Sequence, residues 1–315
     1  MADYLVTGGA GFLGCNLVRR LAKDGHRVTV FDSLVTGRRE NLEGIEGEIK
    51  FVQGDVRDTS ALLEVFASHG FECAFHLAAL PSVRLSLERP QETHETNATG
   101  TLNVLAVARA VGCQRIVFAS SCAVYGDRSR PPVSEDSLPD PLSPYAAQKL
   151  LGEYYCSLYS RFLGVQAVSL RFFNIYGPRQ DSRSEYSAVV PKFIGRVLNG
   201  QAPVIYGDGG QTRDFVFVED AVNACVLAAG SDKTAGRVIN IGSGVETSVA
   251  ELAGAVAKLA GSRMEPTHGP AINGEVRNSC ADIALAGSLL GYSPGFTLSQ
   301  GLEKTCDFFR EVETR

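Results

Sequence analysis

The 315-residue chain has no C-x-x-C pair and no cluster of cysteine with histidine. A zinc site of the usual ligand spacing is thereby excluded. Its eight cysteines (Cys15, Cys73, Cys113, Cys122, Cys156, Cys225, Cys280, Cys306) are scattered, which argues against a disulfide-stapled secreted fold and for reduced thiols in a cytosol. No run of five or more like charges occurs and the formal net charge is only −5, so neither a nucleic-acid footprint nor a membrane-surface patch is drawn. No apolar stretch approaches the ~18 residues needed to span a bilayer. The opening DYLVTGG carries no basic segment followed by an apolar one, as a secretory signal would. The expected partners are small molecules, and the expected location is the cytoplasm.

What the chain does have is an alternation of short apolar runs with segments of helical period. YLVTG is followed by a helix from about Phe12. RVTVFD, KFVQGD and CAFHLAA follow, then a helix from about Thr96 to Val111, RIVFASS, a helix from Pro144, and VQAVSLRFF. Continuous apolar strands separated by helices predict a parallel sheet covered on both faces, an α/β doubly wound nucleotide-binding fold. After about Asn174 the rhythm loosens through Pro178, Pro191, Pro203 and YGDGGQTRD, before helices from about Ser248 and Gln300. The expected division is residues 1–174 as the nucleotide-binding domain, with contributions from about 210–245, and 175–315 as a smaller interleaved lobe.

VTGGAGFLG satisfies two glycine patterns: Gly9, Gly11 and Gly14 fit G-x-G-x-x-G, and Gly8, Gly11 and Gly14 fit a three-spaced variant. Glycine is needed there because the turn is tight, the backbone must approach a pyrophosphate, and the following helix must aim free N–H groups at that anion. The pattern alone is weak evidence, but it lies between a strand and a helix. RVTVFD then delivers Asp32 to the end of the next strand, where a carboxylate accepts ribose hydroxyls and repels a 2′-phosphate, favouring NAD over NADP. Arg38 and Arg39 close by are either a phosphate counter-charge or a solvated loop. Asp55, at the end of KFVQGD, is placed to reach the adenine.

Pro144-Tyr145-Ala146-Ala147-Gln148-Lys149 opens a helix and stacks Tyr145 and Lys149 on one face, one turn apart. A phenol of pKa ~10 is a poor base at neutral pH, but a neighbouring ammonium and an oxidised nicotinamide both favour the phenolate. A bare Y-x-x-x-K more often marks two side chains that pack separately. Here a dinucleotide pattern and a serine-rich strand end precede it.

Taken in order, TGGAGFLG, Asp32, HLAA, SSCAVYGD, PYAAQK, RFFNIYGPRQ, GDGGQTRDFVFVEDAV, NIGSG and GEVRNSCAD resemble the extended short-chain dehydrogenase/reductases that act on nucleotide-diphosphate sugars, the UDP-glucose/UDP-N-acetylglucosamine 4-epimerase group among them. The resemblance covers nearly the whole chain. It implies a Rossmann-like domain, a C-terminal sugar-nucleotide lobe, a homodimer, bound NAD, and a catalytic centre of Ser121, Tyr145 and Lys149. It further implies cofactor contacts from Phe12, Leu13, Val56, Leu77, Ala78, Ala79 and Asn97. Substrate contacts would come from Ser82, Ser121, Cys122, Asn174, Gln180, Ala188 and Val189. Arg213 and Arg277 would bind the diphosphate, a task suited to a planar fork that never loses its charge.

Enzymes of this kind oxidise C4 of the sugar and differ in the fate of the ketone. The sugar 4,6-dehydratases carry an Asp-Glu pair immediately after the residue matching Ser121, and the decarboxylases carry a glutamate at the second of those positions. Here the two positions are Cys122 and Ala123. Alanine moves no proton, so the reading is 4-epimerisation of a UDP-hexose, with Cys122 as a pocket wall. A dehydratase using the Cys122 thiol as its acid is the alternative, and a dinucleotide-sensing module is a third class that usually lacks the Tyr or Lys. Ser279, three residues before Asp282, is expected to face the sugar's C2 substituent and to leave room for an N-acetyl group. Gln180, Ala188 and Ser82 match the subgroup that prefers N-acetylated sugars, whereas Pro81 departs from its usual glycine.

Overall fold

The computed structural model describes residues 1–127, 130–182, 188–262, 264–271 and 276–313. Gly274 and Glu275 of GEVRNSCAD lie outside the described residues. The first half alternates strand and helix: β1 (Asp3–Thr7), α1 (Phe12–Lys23), β2 (Arg27–Asp32), β3 (Ile49–Gln53), α2 (Thr59–Ala67), β4 (Cys73–His76), α3 (Val83–Glu88), α4 (Pro90–His94), α5 (Gly100–Val111), β5 (Arg115–Ser121), α6 (Pro144–Phe162) and β6 (Gln166–Phe172). The second half holds β7 (Asn174–Tyr176), α7 (Val189–Leu198), β8 (Val204–Tyr206), β9 (Thr212–Phe217), α8 (Val218–Gly230), β10 (Val238–Ile241), β11 (Glu246–Ser248), α9 (Val249–Leu259), β12 (Thr267–Gly269), α10 (Ala284–Leu290) and α11 (Leu298–Glu313).

Seven strands form one sheet in the order β10-β6-β5-β4-β1-β2-β3, every pair parallel, in a Rossmann-like fold. Because side chains alternate across a strand, neighbours part to opposite faces. Leu5, Ala74, Ile116 and Ala167 pack toward α2, α5 and α6, while Val6, Phe75, Val117 and Val168 pack toward the α1 and α8 side. Both faces being buried, the strands read as unbroken apolar runs, which is why RVTVFD and RIVFASS coincide with β2 and β5 to the residue. The expected helix from Thr96 begins instead as a single π-turn over Glu95–Thr99 and becomes α-helical at Gly100.

Beyond residue 174, β10 returns to the far edge of the main sheet beside β6. The remaining strands build a three-stranded sheet, β11-β9-β7, and a two-stranded one, β12-β8. Helix ends explain much of this placement. Asp58, Ser143 and Ser248 each cap a helix by accepting backbone N–H bonds, and Ser248 with Glu251 forms a full capping box. Helix α1 is capped by Gly11 with no side-chain acceptor, leaving its first-turn N–H groups for another partner. Among the described residues no helix is long and apolar enough to cross a membrane.

Candidate active site

In the sheet order, β1 and β4 stand together at the point where strand order reverses, and the crevice at their carboxyl ends is where such folds take ligands. The glycine turn follows β1 and presses against the Leu77–Ala79 segment after β4. A Cβ on Gly8 would sit 2.6 Å from the Ala78 nitrogen, and one on Gly14 would sit 2.1 Å from the Gly8 carbonyl oxygen. Asp32, buried at the end of β2, accepts N–H bonds from Ala10 at 2.9 Å and Leu34 at 2.8 Å, so it fixes the turn while keeping further lone pairs. The glycine cradle, the open N-terminus of α1 and this carboxylate fit NAD. Gly8, Gly11, Phe12, Leu13 and Gly14 would hold the pyrophosphate, and Asp32 a ribose. Of the two arginines nearby, Arg38 is ion-paired to Asp181 at 3.1 Å and Arg39 lies 4.7 Å over the Phe51 ring, so neither stands as a counter-charge for a 2′-phosphate.

Two expected cofactor residues have other occupations. Asp55 grips the Arg57 guanidinium and its backbone N–H, at 2.7–3.0 Å. Asn97, 1 % exposed, accepts from the Leu80 N–H and donates to the Leu80 carbonyl and to Gln148 Oε1. Asn97 thereby braces the loop after β4, and its amide oxygen keeps one lone pair. Val56 is buried against Gly100.

Ser121, Tyr145 and Lys149 come together. Ser121 ends β5, its oxygen accepts the Ala123 N–H at 3.2 Å, and its hydroxyl lies close enough to the Tyr145 phenol to lower that group's pKa. Ser143 and Pro144 start α6 so that Tyr145 enters the crevice, with its N–H bonded to Ser86 Oγ at 3.1 Å. Lys149 is buried, with its ammonium 5.9 Å from the Tyr145 ring and donating to the Ala119 carbonyl at 2.8 Å. The electrostatics differ from expectation. Burial pushes the Tyr145 phenol up to about 12, opposed by Ser121, and the ammonium does not offset it. Burial also pulls Lys149 down to about 8.

Cys122 opens a 3₁₀ turn over Cys122–Tyr125, and Ser279 lies near enough to its thiol to lower its pKa. Burial pushes its thiol up to about 11, with Arg213 pulling the other way. Arg213 and Arg277 are neighbours: Arg213 Nη1 donates to the Thr212 carbonyl at 2.7 Å, and Arg277 forks onto Asp208 at 2.8 and 2.9 Å. Asn174 Oδ1 and Gln180 Oε1 are buried acceptors with no hydrogen-bond partner among the described residues. Such groups are costly unless something donates to them, as a sugar hydroxyl would. Ala188 caps α7 at the start of Val189. Ser82 is engaged as the N-cap of α3, accepting from Leu85.

Sequence reasoning missed three polar groups behind this site. Asp214, fully buried next to Arg213, gathers N–H bonds from Ser243, Gly244 and Ala281 and the Ser243 hydroxyl. His76, buried at the end of β4, is pinned between the Thr7 and Thr101 hydroxyls and its pKa falls to about 3 through burial. Glu153 lies one turn beyond Lys149, paired to Arg171 at 2.7–2.8 Å. The last was within reach, since Tyr145, Lys149 and Glu153 repeat every fourth residue.

The fold and the groups gathered at its carboxyl edge define a dinucleotide-binding protein of the Rossmann type. The chain belongs to the NAD dependent epimerase/dehydratase family, whose profile matches residues 4–242. It is 41% identical over 309 residues to a UDP-glucose 4-epimerase of Mycolicibacterium smegmatis, covering 97% of this chain and 98% of the relative. It is 37% identical over 323 residues to a UDP-N-acetyl-alpha-D-glucosaminuronate decarboxylase of Bacillus cytotoxicus, covering 98% of each. Among solved structures, UDP-N-acetylglucosamine 4-epimerase from Methanobrevibacter ruminantium, in complex with UDP-N-acetylmuramic acid, superposes with a TM-score of 0.94 at 34% identity, covering 99% of both chains.

Proposed function

We propose that this protein epimerises UDP-hexoses at C4, accepting UDP-GlcNAc and UDP-GalNAc at least as well as UDP-Glc and UDP-Gal. The observation that carries the reading is the Ser121–Tyr145 pair at the end of β5, with Cys122 and Ala123 beside it where a dehydratase needs two acids. Tyr145 takes the O4 proton, Ser121 beside it relays the proton, and Lys149 anchors the centre to β5. When bound, NAD supplies a hydride acceptor and, in its oxidised form, a positive ring that lowers the phenol's high pKa. Arg213 and Arg277 bind the diphosphate, and the unpartnered oxygens of Asn174 and Gln180 accept from the sugar. Cys122, its proton held firmly by burial, walls the pocket beside Ser279.

In this reading residues 1–174 hold the cofactor, with help from about 210–245, and 175–315 hold the nucleotide sugar. Exposed Tyr154, Leu158 and Phe162, spaced four apart on α6, make an apolar stripe that a second copy of the chain would cover. Eight free thiols suit a reducing cytoplasm. The test is incubation with a panel of UDP- and dTDP-sugars, read by NMR for inversion at C4 and by mass spectrometry. Loss of water or of carbon dioxide in place of inversion overturns the proposal.

A further inference from the structure

Behind the reacting groups lies a contact that touches neither substrate nor cofactor. Three successive residues of β5 each face one of three α6 residues spaced four apart. The Ala119 carbonyl accepts from Lys149 Nζ, the Ser120 hydroxyl donates to Glu153 Oε1, and the Ser121 hydroxyl lies beside the Tyr145 phenol and lowers its pKa. The middle tie is the most enclosed, with Ser120 4 % and Glu153 3 % exposed. Glu153 is further held by Arg171 of β6 through Nε at 2.8 Å and Nη2 at 2.7 Å, and the Arg171 guanidinium covers the Tyr125 ring at 4.6 Å. Tyr125 closes the turn that carries Cys122, and its hydroxyl donates to Asn240 of β10 at 2.7 Å.

A buried ion pair between helix and sheet is an expensive way to gain stability, because two charges lose their water and apolar residues of similar size often do as well. Among the described residues Arg171 Nη1 finds no hydrogen-bond acceptor. Such a pair is better suited to fixing one geometry than to holding the fold. Resting on the reading that Ser121 and Tyr145 carry the proton transfer, we propose that Glu153 is a positioning residue, which through Ser120 sets the register of strand β5 against helix α6. Proton transfer tolerates little error, and a displacement of about 1 Å costs up to ~10²-fold in rate.

The direct change, Glu153→Ala, would strand Arg171 as a buried unpaired charge, so the test removes the other partner. In Ser120→Ala, Glu153 keeps both of its Arg171 bonds and the sheet keeps its ion pair. The control is Ser169→Ala one strand over, which removes a buried hydroxyl that lies beside the Cys156 thiol and, among the described residues, bonds neither Glu153 nor β5. Each variant is assayed for kcat and KM on the UDP-sugar turned over fastest, for Tm, and for retained NAD, beside Tyr145→Phe. The expected result is a kcat about tenfold lower in Ser120→Ala with KM and NAD content unchanged, and kcat within twofold of wild type in Ser169→Ala. A Ser120→Ala kcat within twofold of wild type while Tyr145→Phe abolishes turnover overturns the positioning role alone. An active Tyr145→Phe overturns the reading it rests on.

Discussion

The sharpest test of the nucleotide end is Gly14→Ala. A Cβ there meets the Gly8 carbonyl oxygen at 2.1 Å, the Gly9 Cα at 2.7 Å and the Gly8 carbonyl carbon at 2.9 Å, all of them backbone. No side chain can swing aside, so helix α1 must retreat from the turn by about 1 Å to restore ordinary contact. Overpacking of this kind costs ~1–3 kcal/mol, which lowers Tm by roughly 1–5 °C in a chain of this size. The helix N-terminus moves with it. Losing one charge-assisted bond to the pyrophosphate, worth ~1.5–3 kcal/mol, weakens NAD binding by roughly 10- to 150-fold. Gly70→Ala is the control, because its Cβ meets nothing within 4 Å and its φ is ordinary. Copurified NAD is measured after denaturation, and affinity by titration of the stripped protein. If Gly14→Ala holds NAD within about threefold of wild type, the placement of the pyrophosphate against this turn is wrong.

Tyr145→Phe is expected to lower kcat by ~10²–10⁴-fold with NAD content unchanged, measured by steady-state turnover and absorbance. Lys149, pulled down to about 8, is charged below that pH and neutral above it; kcat is therefore expected to fall as pH rises through about 8, and a flat profile from pH 7 to 10 would discount the ammonium. Cys122→Ser keeps a hydroxyl facing Ser279 and is expected to retain turnover within about fivefold, with no dehydrated product by mass spectrometry. Ser279→Tyr overfills the pocket by ~1–3 kcal/mol and is expected to suppress UDP-GlcNAc turnover by one to two powers of ten while sparing UDP-Glc; equal loss on both would remove Ser279 from sugar selection.

The dinucleotide half was legible because its signals are local. A two-sided buried strand writes itself as RVTVFD, and a tight turn before a helix writes itself as glycines at fixed offsets. The Tyr145 and Lys149 pairing followed from helix geometry alone. What could not be read was whom a polar side chain would meet across the fold. Asn97 sits where a cofactor contact was expected, and the structure adds that Leu80 and Gln148 take both its amide hydrogens and one lone pair of its oxygen. The pKa of Tyr145 followed burial rather than the nearby ammonium, since desolvation depends on the whole surround and pairing only on spacing. Strand β10 and helix α8 fall within the contribution expected from about 210–245, but their bounds were not drawn in the Pro- and Gly-punctuated second half, because their apolar runs are short and their partners β6 and α1 define them.

Residue Val133 bridges Ala281, and its backbone exchanges bonds with Cys280 and Asp282. Roughly 150 residues of synthesis separate these partners, which at ~5–20 residues per second means a wait of roughly 7–30 s on the ribosome. During the earlier part of that interval β6 has no outer neighbour, since β10 begins only at Val238. A nascent chain halted between residues 174 and 238 therefore displays an open, apolar strand edge of the kind that recruits other chains. The Val133–Ala281 bridge is thus made late, and the half-finished chain stays exposed to misassembly along β6 until Val238 and its neighbours arrive.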